Sequence, residues 1–163
     1  MAQIWSKPKP QQQAWLLDKN SLTERLQACS EQFSLQVDKQ FWCNSCEPKD
    51  LFSQMLGYKY SDRPAHRYWY RKVRLYADQQ LMITAFSYTP IITQHRQVKF
   101  LTKLNTRSLG SILFSDRRIQ RGPILLKYDQ QQQLWARASL FYIRQQPMLV
   151  CEYYHPGIYE LSS

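Results

Sequence analysis

Glycine is scarce in this chain, four residues in 163. That leaves too few for a phosphate-cradling loop, and no nucleotide-binding glycine pattern occurs. No apolar run approaches the roughly 20 residues that span a bilayer. The opening MAQIWSKPKPQQQ lacks the apolar stretch of a signal peptide, so the expectation is a cytoplasmic protein with no membrane span. Cysteine is limited to Cys29, Cys43, Cys46 and Cys151, a usage suited to a reducing compartment, where a free thiol acts as a small hydrophobe. A zinc set can be drawn from Cys43, Cys46, Cys151 and His155. A lone Cys-x-x-Cys is weak evidence, however, and the second pair falls on a predicted strand. The three histidines (His66, His95, His155) lie beside turns or strand ends, outside any hydrolase signature.

Acidic residues are few as well: 12 against 22 Lys and Arg, for a net charge of +10. Such a field favours anionic partners. Nucleic acid is one candidate, with aromatics on the basic strand Tyr68–Tyr76 available to stack on bases. Against it, no RNP-like motif is present and the cations are spread along the chain. Their densest group, Arg117–Arg121, reads as a solvated loop. A small anionic metabolite profits from the same field, and the expectation is a small-molecule partner rather than nucleic acid.

What is present is alternation. Residues 1–13, rich in Pro, Lys and Gln, are expected to form a poorly ordered tail, and 14–163 a single domain. Ser21-Leu-Thr-Glu24 is a capping box, and Leu22, Leu26, Cys29 and Phe33 continue as one helical stripe through about Phe33. Strands are predicted over 34–41, 68–76, 81–88, 124–128, 134–144 and 148–154. Tight turns fall at 77–80 and 145–147, and Pro90 is expected to end its ladder. Short helices are predicted over 48–56, 99–104 and 108–114. With no βαβ rhythm, the fold class is α+β, an antiparallel sheet meander with helices packed on one side. No exposed apolar stripe stands out, so a monomer is expected.

Two charges break this pattern. In Tyr68–Tyr76, Trp69, Arg71, Val73 and Leu75 share a face on which Arg71 is the only charge. In Met148–Tyr154, Met148, Val150, Glu152 and Tyr154 share a face on which Glu152 is the only charge. An ionised group turned toward a core costs several kcal/mol unless it is paired. The pair therefore either forms a hidden salt bridge or lines an internal polar pocket.

The residues also form an ordered set: Trp15-Leu-Leu-Asp18 and Ser21-Leu-Thr-Glu-Arg25; Arg67-Tyr-Trp-Tyr-Arg71; Ala77-Asp78 with Pro90 beyond; Lys103-Leu104 and Leu109-Gly110-Ser-Ile-Leu113-Phe114; and Leu134-Trp135-Ala-Arg137 with Glu152 on the final strand. In order and spacing this set resembles the chorismate lyase family, small enzymes that make 4-hydroxybenzoate at the entry to ubiquinone synthesis. The resemblance implies an internal pocket on an antiparallel sheet under helical flaps, and a cofactor-free, metal-free elimination of pyruvate from chorismate. It implies ligand contacts from Arg71, Glu152, Leu109 and Leu22. Arg71 is expected to grip the ring carboxylate as a fork, and Leu109 to offer an amide at a helix start. Glu152 is expected to hydrogen-bond the oxygen that becomes the product's phenol and, its pKa raised by an apolar setting, to give a proton as the ether leaves. Leu22 is expected to serve as apolar wall. The family's arginine shortly before the proline is Phe86 here, which predicts a weaker lyase, with Arg137 or a flap residue as a substitute cation. An alternative within the same fold is a non-catalytic effector-sensing domain that keeps Arg71 and Glu152 as ligand contacts. Such regulators carry a helix-turn-helix, and the stretch before Trp15 is too short for one.

Overall fold

Six strands make one antiparallel sheet in the computed structural model, which describes residues 7–43, 67–91, 103–143 and 146–162. The elements are α1 (Pro10–Leu16), α2 (Leu22–Ala28), β1 (Phe33–Cys43), β2 (Arg67–Ala77), β3 (Gln80–Ile91), α3 (Leu109–Leu113), β4 (Gln120–Asp129), β5 (Leu134–Ile143), β6 (Gln146–Tyr154) and a 3₁₀ helix, Pro156–Glu160. The strand order is β1-β2-β3-β6-β5-β4. The meander expected from the sequence holds within each half of the sheet, but the halves join through β6, which lies beside β3. The α+β class is confirmed.

The β2–β3 turn is as tight as expected, with Asp78 and Gln79 both at positive φ (49° and 67°), the conformation that matches strand twist in a two-residue hairpin. Three other expectations are corrected. Residues 10–13 open α1 rather than belonging to a tail. Pro10 supplies a preset φ in the first turn, Lys9 N–H donates to Gln12 Oε1 at 2.8 Å, and Trp15 and Leu16 anchor the helix in the core. Helix α2 stops at Ala28 rather than near Phe33, because Asp78 Oδ1 accepts from Glu31 N–H (3.0 Å) and Gln32 N–H (2.8 Å) and turns the chain into β1. Pro90 does not end β3, whose ladder with β2 runs on to Arg67↔Ile91. Strand β6 pairs with β3 only over Ile83–Tyr88, so the missing amide at Pro90 costs no bond on that side. The β5–β6 hairpin is also tighter than expected, with Ile143 paired to Gln146. The predicted helix over 48–56, most of that over 99–104, and the flaps lie outside the described residues.

One sheet face carries the main core. Trp15, Leu16, Leu22 and Leu26 from α1 and α2 pack against Val73, Leu75, Ile83, Trp135 and Tyr154. Ser21 caps α2 by accepting from Glu24 N–H at 3.3 Å, and an Arg25–Asp18 ion pair (2.9 Å) ties α2 to the end of α1. A second cluster joins Leu104 and Leu113 to Phe141, Met148 and Val150. Between the two clusters the described residues leave the sheet face open, and there the polar residues gather.

Candidate active site

The hollow has a register origin. One row across the sheet runs Arg71↔Ser87↔Val150↔Ser139, and the next runs Val73↔Ala85↔Glu152↔Arg137. On β3 the pocket-facing side chains are thus Ser87 and Ala85, the smallest available, while Arg71 and Glu152 rise on either side. Their strands are two spacings apart, roughly 10 Å, and the two residues stand in successive pocket-facing rows. A cavity opens over this gap, bounded by Arg71, Glu152, Arg121 and Arg137 on the sheet and by Leu22 and Leu109 from α2 and α3. All four sequence-predicted site residues therefore meet around one pocket. Helix α3 closes tightly on α2: a Cβ at Gly110 would come within 3.3 Å of Thr23 Oγ1.

Arg71 is 3% exposed, and among the described residues no carboxylate pairs with it. Its Nη2 donates to Asn105 O (2.8 Å) and Arg107 O (3.0 Å), fastening the loop that leads into Ser108 and Leu109. Its buried Nε finds no acceptor among the described residues. Burial pushes its pKa below the usual arginine value. A buried donor of this kind is completed by an anionic acceptor.

Glu152 does form a hidden salt bridge, but with Arg137. Arg137 Nε donates to Glu152 Oε2 at 2.6 Å, the two being cross-strand partners on β5 and β6. The apolar setting expected around Glu152 is therefore replaced by an ion pair, in which the carboxylate acts as an acceptor. Burial works against the Arg137 charge, yet Glu152 and Tyr154 outweigh it and hold its pKa above the usual value. Arg137 Nη1 also donates to Asp18 O (2.7 Å), and Arg121 Nη1 to Lys19 O (2.7 Å), so both arginines fix the loop that carries Ser21 and Leu22. Helix α3 has only five residues, too short for its dipole to add much at Leu109.

Phe86 borders the cavity only through its place on β3. Its ring packs against Tyr70 and Tyr153 and under Lys72 Nζ, on the face opposite Arg71. The expectation that Arg117–Arg121 is a solvated loop is corrected at its last residue: Arg121 lies on β4 and reaches into the site. Arg137 was visible in principle, as the only charge on the β5 face of Trp135, Arg137, Ser139 and Phe141. Arg121 was not, because Gly122, Pro123 and a register shift between Arg121 and Ile124 break the alternation of β4. Of the residues in the zinc alternative, Cys151 packs in a core cluster with Ala138, Leu140 and Leu149, and Cys46 lies outside the described residues.

Fold and site together define a class: a small α+β protein with a cationic pocket set into one face of an antiparallel sheet. Comparison with known proteins narrows it. The profile of the chorismate lyase family matches residues 2–162, and the chain belongs to that family. It is 34% identical over 163 residues to a probable chorismate pyruvate-lyase of Psychromonas ingrahamii, covering 89% of this chain and 83% of that one. It is 30% identical over 152 residues to the chorismate pyruvate-lyase of Pectobacterium atrosepticum, covering 88% and 80%. The fold is shared with the effector domain of PhnF from Mycobacterium smegmatis, at 11% identity and a TM-score of 0.55 over 85% of this chain and 90% of that one.

Proposed function

We propose that the pocket binds chorismate and releases 4-hydroxybenzoate and pyruvate, the first step toward ubiquinone. Chorismate carries a carboxylate on ring C1, an enolpyruvyl ether on C3 and a hydroxyl on C4. The C3–O bond breaks, the C4 hydrogen leaves as a proton, and the departing enolpyruvate takes a proton on its methylene carbon to become pyruvate. Aromatisation drives the step, so positioning and electrostatics suffice.

The observation that carries the reading is the buried Arg71, which has no carboxylate partner among the described residues, facing the Arg137-held Glu152 across a floor of Ser87 and Ala85. Arg71 takes the ring carboxylate, with the Leu109 amide as a second donor. Glu152 accepts from the C4 hydroxyl, which lies para to that carboxylate and becomes the phenol of the product. Leu22 supports the apolar ring edge. The Phe86 ring packs among Tyr70 and Tyr153 on the face opposite Arg71, so an arginine at this position would bring no charge to the pocket, and the slower turnover expected from its loss finds no support in the site. The same reading makes the protein a cytoplasmic monomer. Among the described residues no helix is long and apolar enough to cross a membrane. The test is stoichiometry: chorismate should yield pyruvate and 4-hydroxybenzoate one for one with no added metal. Absence of either product, from protein that still binds 4-hydroxybenzoate, would favour the effector-sensing alternative.

A further inference from the structure

The reaction as described leaves one pocket cation without a task. Arg121 is half-buried at the edge of the cavity. Nη1 donates to Lys19 O (2.7 Å) and Nη2 to Ser139 Oγ (3.1 Å), both neutral acceptors. Among the described residues no carboxylate forms an ion pair with it, and its buried Nε has no partner. The guanidinium carbon is braced 5.7 Å from the Phe114 ring and 5.2 Å from the Phe141 ring. Gly122 favours this placement: a Cβ there would come within 2.9 Å of the Tyr142 ring and 3.3 Å of Leu140, so glycine lets β4 lie close to β5 just beyond Arg121 without displacing that ring.

Charge and position agree on what such a group is for. Among the described residues, three guanidiniums (Arg71, Arg121, Arg137) against one carboxylate (Glu152) give the pocket lining a net charge of +2. Arg137 is already paired with Glu152, so among the described residues the buried Arg71 and the half-buried Arg121 remain to be matched. Arg121 belongs to the Glu152 end of the pocket, where its charge is repelled by Arg137 and attracted by Glu152. With the C4 hydroxyl at Glu152, ring C3 and its enolpyruvyl arm fall beside that same end.

We infer that Arg121 is the subsite for the second carboxylate of the substrate, the one on the enolpyruvyl arm. This rests on the chorismate reading and deepens it. The substrate is a dianion that engages both Arg71 and Arg121. The aromatic product is a monoanion that engages Arg71 alone. Arg121 thus separates substrate from product, the task that an arginine at position 86 cannot perform here.

The test uses binding, which does not depend on turnover. Wild type, Arg121→Gln, Arg121→Lys and Arg71→Gln are titrated with 4-hydroxybenzoate and with 3-(carboxymethoxy)-4-hydroxybenzoate. The second is a stable dianion with its extra carboxylate on the C3 oxygen. Loss of one charge-assisted contact predicts that Arg121→Gln weakens the dianion roughly tenfold to a hundredfold and leaves the monoanion within about twofold. Arg121→Lys should recover part of the loss, and Arg71→Gln should weaken both ligands. Equal losses for both ligands in Arg121→Gln, or unchanged dianion binding, would overturn the assignment, the first pointing to a structural role through Lys19 and Ser139. Failure of the lyase reading would be seen separately, as no pyruvate from chorismate while the dianion preference persists.

Discussion

Arg137 shows how much one residue organises. It is 2% exposed, bridges to Glu152 and holds Asp18 O, so it serves both sheet and loop. Truncating it leaves Glu152 without its counter-charge in a largely dry site. Arg137→Ala should cost about 3–5 kcal/mol in urea unfolding, and Arg137→Met combined with Glu152→Leu should recover most of that. A single mutant with near-native stability would show the bridge to be incidental. His155 makes a second point at this scale. Its Nε2 lies 2.9 Å from Thr84 Oγ1, and burial pushes its pKa below the ordinary 6.5. The unfolded chain then takes up a proton at a higher pH than the folded one. Stability is full above pH 6.5 and falls as the pH drops toward the folded value. Thermal melts of wild type should show this loss, and melts of His155→Gln should show less of it.

At the scale of elements, legibility followed burial pattern. The strands β2 and β3 could be read from alternation and β5 and β6 as apolar runs buried on both faces, and in either setting a lone charge among apolar neighbours stands out. Arg71 and Glu152 were found this way, and Arg137 answers to the same criterion. Helix α1 was hidden in low-complexity sequence, since what orders Pro10–Leu16 is the docking of Trp15 and Leu16 on a sheet formed far away in the chain. The end of α2 was hidden for a similar reason: the stripe continues to Phe33, but Asp78, more than forty residues on, captures the amides of Glu31 and Gln32. Strand β4 was foreshortened by Gly122 and Pro123, and with it Arg121 was lost. Because α2 both packs the core and carries Leu22, its integrity is directly measurable. Leu26 is fully buried, and Leu26→Ala should cost about 2–5 kcal/mol in chemical denaturation.

For the whole molecule, the net charge of +10 acquires a use once the pocket is known. A cationic surface around a cationic pocket draws in a dianionic substrate, and salt screens that attraction. Between roughly 50 and 500 mM salt, kcat/KM for chorismate should fall several-fold with little change in kcat. A flat profile would confine the electrostatics to the pocket itself. The most direct measurement is pyruvate release from chorismate by wild type beside Arg71→Ala and Glu152→Ala, each first shown to be folded. The pocket described here predicts turnover in wild type that falls by two orders of magnitude or more, ~100-fold, in both variants. Turnover that survives in either folded variant would place the chemistry elsewhere and contradict this account.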